Sequence, residues 1–293
     1  MASVEALVGG RRRRGVQLKD GAFEALLIVA TLVGIATLFV LIAAVLQQGL
    51  PWLDTATVFN QPSADPDRAG VWGPLVGSLW IMGITAGVAF PVGVGAAIYL
   101  TEYAPDTRFW RLVRVNVANL AAVPSIVYGI LGLAFFVRLA ALGRSVAAGG
   151  LTMAILVLPI VIIASREAML AVPSELRHGA LGLGATRWRT TSRVVLPAAM
   201  PGILTGTILS LSRAIGETAP LILAGAVAYV TSTPTSLSSS FTVLPLQVFD
   251  WASRPQPAFR SGLAGAAIVI LLTVLLTMNA GAILLRNRLQ DRG

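Results

Sequence analysis

Six stretches of the sequence are apolar runs, roughly Phe23–Leu46, Pro74–Leu100, Asn116–Val137, Gly150–Leu170, Ala199–Val230 and Gly262–Leu285. Each reaches the ~20 residues that an α-helix needs to cross about 30 Å of hydrocarbon. Inside lipid a backbone must satisfy its own N–H and C=O groups, so such runs are helices. Only 12% of the residues are charged while 56% are hydrophobic. Soluble domains carry about 25% charge, so the composition agrees with an all-α protein of six membrane spans. The first run follows Arg11–Arg14 in the manner of a signal peptide. It exceeds the ~7–15 residues of a signal's apolar region and lacks a small-residue cleavage site, so it is expected to be retained as a span.

Basic residues alternate in number between successive connections. Sixteen of the 22 Lys and Arg lie in the N-terminal tail, the Glu102–Arg114 loop, the Arg166–Arg193 loop and the C-terminal tail. Five lie on the other side (Arg68, Arg138, Arg144, Arg254, Arg260), and the last is Arg213, within a run. The positive-inside rule therefore places both termini and the Arg166–Arg193 loop in the cytoplasm, with the basic side against anionic lipid. This gives a cytoplasmic tail over residues 1–22, a six-helix transmembrane body over 23–285 and a second tail over 286–293. The net charge of +9 is spread between apolar runs rather than along one face. Nucleic acid is therefore not the expected partner. There is no cysteine, and His178 is the only histidine. Disulfides, cysteine metal sites and histidine-based triads or metal centres are not expected, and the spans hold no paired Asp and no Ser/His set for an intramembrane enzyme.

The long non-cytoplasmic segments Gly49–Gly73 and Thr231–Ser261 carry Pro51, Pro62 and Pro66, and Pro234, Pro245, Pro255 and Pro257. They read as ordered loops or short interfacial helices, with Trp52, Trp72 and Trp251 at headgroup level. Pro91, Pro124, Pro159 and Pro220 fall inside spans two to five, where each removes a backbone donor and is expected to kink its helix. Gly83-Ile-Thr-Ala-Gly87 and Gly202-Ile-Leu-Thr-Gly206 have the spacing that lets helix backbones approach closely. Asn116 and Asn119 are expected to cap or bridge helices, while Ser125 and Tyr128 are mid-span candidates to line a path.

The loop REAMLAVPSELRHGALGLGATRWRTTSRVVLP, Arg166 to Pro197, is too long for a simple helix turn. Ser174 is expected to cap a helix through Arg177–Leu181, which Gly182 and Gly184 end in a left-handed conformation. Thr186 then caps a second helix bearing Trp188, which stops before Pro197. Ala180, Leu181, Leu183 and Trp188 would give this cytoplasmic piece an apolar surface that a partner protein must bury.

The segment LSRAIGETAPLILAG sets Arg213 and Glu217 one turn apart inside an apolar run, followed by Pro220. About 14 residues from Ala199, Arg213 lies ~21 Å along the helix, too deep to snorkel. A charge at that depth costs roughly 2.5–3.5 kcal/mol, so it must face protein or water. One reading is mutual neutralisation that locks helix packing. The other is a fixed positive charge whose planar donors match an oxyanion, steadied by Glu217, with Pro220 freeing the Gly216 carbonyl to bend the helix beside it.

The loop resembles the "EAA" loop of ABC importer permeases, Glu-Ala-Ala, three residues, Gly, nine residues, Ile-x-Leu-Pro. Ala180, Gly184, Leu196 and Pro197 match and Val194 stands for Ile, while His178 and Gly179 replace Glu and Ala. Beyond the loop, AAIYLTEYAP, NLAAVPSIVYGILGLAFF, ALGLGATRW and SRAIGETAPLILAG are similar to the PstA family of bacterial phosphate-specific permeases. The resemblance implies a type I ABC importer permease fold with six transmembrane helices, in the bacterial cytoplasmic (inner) membrane. It implies a PstC-like sister permease, a dimer of PstB-like ATPases and a PstS-like phosphate-binding protein, periplasmic or lipid-anchored. The loop would be the coupling helix that docks in the ATPase, through Ala180, Leu181, Gly184, Ala185, Trp188, Leu196 and Pro197. Arg213 and Glu217 would serve phosphate passage, alongside Pro220, Ser125 and Tyr128. The sequence has no Walker A loop and its one lysine, Lys19, sits in the tail. No cofactor is therefore expected on this chain, with ATP and Mg on the partner ATPase and no catalysis here. Import of another oxyanion such as sulfate or molybdate, or a stand-alone anion channel or secondary transporter, are the alternatives.

Overall fold

The computed structural model describes residues 5–227, 230 and 232–290. Residues 1–4, 228–229, 231 and 291–293, and with them part of the predicted fifth run, therefore lie outside the described residues. The chain forms two compact units, Met1–Gln48 and Gly49–Gly293.

The first unit is a single helix. Helix α1 runs from Glu5 to Gly49, so helical backbone passes through the basic stretch and across residue 22 into the apolar run. From Phe23 onward it is apolar all round its circumference, the pattern of a helix surrounded by lipid or other helices rather than of a surface helix with one wet face.

The regular elements of the second unit are all helical, without a strand among the described residues. A short helix α2 (Thr55–Phe59) is capped by Asp54, whose carboxylate accepts the Thr57 N–H at 2.6 Å. The long helices are α3 (Trp72–Ile98), α6 (Val146–Leu170), α9 (Leu196–Ile215) and α12 (Ala264–Gln290). Between α3 and α6 lie α4 (Arg108–Ala121) and α5 (Ser125–Gly132); between α6 and α9 lie α7 (Ser174–Gly182) and α8 (Arg187–Thr190). Helices α10 (Ala219–Ala224) and α11 (Leu244–Ala252) connect α9 to α12. Four π-helical stretches, Tyr99–Tyr103, Leu133–Leu139, Thr191–Val195 and Ala258–Leu263, extend α3 and α5 and lead into α9 and α12.

Among the described residues five helical segments are long and apolar enough to cross a bilayer: Asp20–Trp52, Trp72–Tyr103, Val146–Leu170, Arg187–Ile215 and Ala258–Arg288. The third predicted run, Asn116–Val137, is a bent pair instead, its halves Arg108–Ala121 and Ser125–Leu139 meeting at 99°. Pro124 explains the break: it takes the N-cap position of α5 in extended geometry (φ −54, ψ 135) rather than continuing a kinked helix. The predicted fifth span is also divided, since α9 stops at Ile215 and Pro220 sits in the first turn of α10, where its missing donor costs nothing. Pro91 and Pro159 lie inside α3 and α6 as expected, and Pro201 inside α9 joins them.

The core follows the small residues. Helices α3, α6 and α9 share a central apolar cluster that includes Ile81, Ala89, Met153, Val157, Val161, Ala214 and Ile215. A second, formed by Val94, Leu100, Met169, Val195 and Ile203, joins their other ends. A methyl on Gly202 would lie 2.8 Å from the Ala168 side chain and one on Gly206 2.5 Å from that of Ala164, so α9 rests directly on α6. The same spacing at Gly83 and Gly87 does not do this: nothing described lies within 4 Å of either. That motif turns toward the open side of α3 and not into the packed unit.

Candidate functional site

Arg213 occupies the last turn of α9, and Gly216 caps that helix. The Gly216 N–H donates to the Arg213 carbonyl at 3.2 Å and the Glu217 N–H to the Ala214 carbonyl at 3.1 Å, closing the helix. Thr218 opens α10, its carbonyl accepting from Leu221 and Ile222. Arg213 and Glu217 are thus not on one face of a continuous helix; they flank a break. They still meet, Nε to Oε1 at 3.8 Å, a loose ion pair too long for a hydrogen bond.

The two charges are unequally placed. The Arg213 side chain is 70% exposed and that of Glu217 is 23% exposed. No other described side chain bonds either group. Ala214 and Ile215, next along the chain, are buried in the central cluster, so the guanidinium is held outward by an anchored helix end. The C-terminus of a helix also favours a cation by its dipole. A guanidinium that keeps most of its surface free can fork onto a second oxyanion with the donors that Glu217 leaves unused.

Pro220 is buried and forms the floor on which α5 rests: a methyl on Gly129 would lie 2.7 Å from the Pro220 Cα and 3.1 Å from its carbonyl oxygen. The bent α4–α5 pair therefore reaches the break through Gly129. Tyr128 is buried and its hydroxyl donates to the Leu120 carbonyl at 2.8 Å, bracing the α4–α5 bend. Ser125 is half-buried in the first turn of α5. The Asn116 amide donates to the Leu112 carbonyl one turn back. Ser212, which the sequence did not single out, bonds Asn279 and ties α9 to α12 beside Arg213. Among the described residues no cluster of His, Cys, Asp and Glu is arranged to hold a metal.

The loop between α6 and α9 largely matches its sequence signals. Thr186 caps α8, accepting the Arg189 N–H at 3.3 Å, and Gly184 is left-handed with φ +82. Three expectations are corrected. Ser174 is the first helical residue, with Pro173 in the cap position and no side-chain cap. Gly182 is the last residue of α7 rather than a left-handed terminator. Pro197 stops nothing, because Leu196 donates to the Thr191 carbonyl across a π turn and the widened turn lets α9 continue through the proline. Leu183 is 91% exposed and Trp188 67%, with Leu181 also exposed, while Ala180 and Ala185 are half-buried. Leu196 and Pro197 line an open groove with Arg193 and Arg286.

Glu102 and Arg177 form a pair that no motif in the sequence marks. Glu102 accepts from Nε and Nη2 of Arg177 at 3.2 and 3.1 Å. The two lie 75 residues apart, and the only signals were a carboxylate just past an apolar run and an arginine next to His178.

Residues 89–289 match the family of binding-protein-dependent transport system inner membrane components. The phosphate transport system permease protein PstA 1 of Mycobacterium tuberculosis is 35% identical over 74% of this chain and 70% of its own length. A PstA permease of Xylella fastidiosa is 30% identical over 96% of both chains. The probable ABC transporter permease protein YqgI of Bacillus subtilis is 33% identical over 70% of this chain and 69% of its own. Among solved structures, a chain of the alginate ABC transporter in complex with its alginate-bound periplasmic protein is similar with a TM-score of 0.67 at 14% identity, covering 93% of this chain and 96% of that one. A chain of the inward-facing MetNI methionine transporter is similar with a TM-score of 0.61 at 16% identity, over 78% and 99%. The fold is thus that of type I ABC importer permeases, and the chain belongs to the binding-protein-dependent transport system inner membrane component family.

Proposed function

We propose that this chain is one of two permease subunits of an ATP-driven importer of inorganic phosphate. The observation that carries the reading is Arg213. Its guanidinium is held outward at a helix break, loosely paired with Glu217, in a segment too apolar to keep an idle charge. Phosphate offers several oxygens to a planar fork, and a carboxylate nearby keeps the anion from binding too tightly to leave. Several similar proteins are named as phosphate permeases, which supports phosphate over sulfate or molybdate.

On this reading Arg213 faces a path shared with a PstC-like sister permease, and a PstS-like binding protein delivers phosphate from outside. A dimer of PstB-like ATPases binds ATP and Mg and docks on the exposed Leu181, Leu183 and Trp188 from the cytoplasm, where both termini also lie. The chain itself binds no cofactor and performs no catalysis. Reconstitution tests this: vesicles holding this chain, the sister permease and the ATPase should take up labelled phosphate, in preference to sulfate, only with ATP and the binding protein present. Uptake by this chain alone would instead make it a channel or secondary transporter.

A further inference from the structure

The coupling surface lies on α7 and α8 and the candidate anion site at the far end of α9; Arg177 offers a mechanical tie between them. Its guanidinium bonds in three directions. Besides Glu102, Nη1 donates to the Val172 carbonyl and Nη2 to the Met169 carbonyl, both at 2.7 Å. The side chains of Arg177 and Glu102 are only 20% and 12% exposed, unlike Arg213, so solvent screens this pair weakly. Met169 lies in the last turn of α6 and Val172 just past its cap, where a cation also meets the favourable end of the helix dipole. Glu102 belongs to the π turn that ends α3. One side chain of α7 thereby grips the ends of both α3 and α6. Beneath it lies the apolar cluster of Leu100, Met169, Val195 and Ile203, and α9 is seated on α6 at Gly202 and Gly206.

We propose that the Arg177–Glu102 pair is a positioning device that fixes the coupling segment to α3 and α6 as one body. Movement of an ATPase against the exposed face of Leu181, Leu183 and Trp188 then displaces α3 and α6 together, and α9 with Arg213 follows through its packing on α6. Without the pair, α7 keeps its bonds to the Met169 and Val172 carbonyls but loses its tie to α3, and the push no longer carries α3 and α6 as one body. The inference rests on reading the chain as an ATPase-coupled permease. Lysine does not substitute for Arg177, because an ammonium lacks the planar fork that spans a carboxylate and two carbonyls.

The test uses the reconstituted complex with Glu102→Gln and Arg177→Lys. Both variants should co-purify with the ATPase and hydrolyse ATP, while phosphate taken up per ATP hydrolysed falls roughly tenfold, the worth of one charge-assisted bond. Glu102→Asp, which keeps the charge on a shorter arm, should fall between them and wild type. An unchanged ratio of uptake to hydrolysis in both variants overturns the proposal. Loss of ATPase co-purification in both also overturns it, since the pair would then only shape the docking face. Wild-type uptake that needs no ATPase would remove the functional reading and this inference together, before any variant is compared.

Discussion

The contrast between two glycine motifs gives a prediction of sign. A methyl on Gly206 lies 2.5 Å from the Ala164 side chain, whereas methyl carbons rest at about 3.5–4.0 Å. Gly206→Ala must therefore part α9 from α6 locally by about 1–1.5 Å, and neither a helix backbone nor an alanine methyl can swing aside. Such overpacking costs about 1–3 kcal/mol. Against it stands the gain of about 0.8–1 kcal/mol that alanine has over glycine within a helix. The net is a loss of roughly 1 kcal/mol, or about 2–4 °C in Tm for a body of this size. Gly83→Ala meets nothing within 4 Å, so it keeps the helix gain alone and should raise Tm by a similar amount. Thermal unfolding of the purified chain in detergent, followed by far-ultraviolet circular dichroism, reads both. Shifts of the same sign would refute the packing described for α6 and α9. Arg213 lies seven residues, about 10 Å, beyond Gly206 on the same helix, so uptake by the assembled complex should fall in Gly206→Ala as well.

Gly184→Val forces a β-branched residue into φ +82 at a cost of about 1–2 kcal/mol, reshaping the turn that presents Leu183. The variant should lose ATPase co-purification, while Gly179→Ala, whose added methyl meets nothing within 4 Å, should retain it. The Thr57 backbone N–H bonded to Asp54 holds that carboxyl below the usual carboxylate range. A depressed acid stabilises above its ordinary value and loses that contribution as pH falls through the lowered one. The α2 cap should therefore persist below the pH at which an ordinary aspartate is protonated. Protection of the Thr57 amide from hydrogen exchange, followed across that range in wild type and Asp54→Ala, checks this.

Much of the fold was legible because it is dictated by one crude quantity, apolar length. The helices built on the first, second, fourth and sixth runs needed only about 20 apolar residues each. Breaks were less legible because proline is ambiguous. Pro91, Pro159 and Pro201 are absorbed within helices while Pro124 and Pro220 begin new ones, and sequence spacing does not separate these outcomes. Pro197 does not stop its helix, because a π turn with Thr191 and Val195 buried leads into it, and residue spacing carries no sign of such a turn. The glycine motifs are alike in sequence and differ only in what faces them. Gly184 and Thr186 were readable because a left-handed turn and a helix cap are local chemistry. The Arg177–Glu102 pair was not, since it exists only once α3, α6 and α7 are assembled.

On the proposed function, the charge of Arg213 is there for the anion. The direct test is ATP-driven phosphate uptake by the reconstituted complex in wild type, Arg213→Lys and Arg213→Leu, with assembly and ATP hydrolysis measured in parallel. All three should assemble and hydrolyse ATP, the leucine variant should not transport, and the lysine variant, lacking the planar fork, should be severely impaired. Normal uptake by Arg213→Leu would contradict this role and leave the Arg213–Glu217 pair as a packing element of the α9–α10 break.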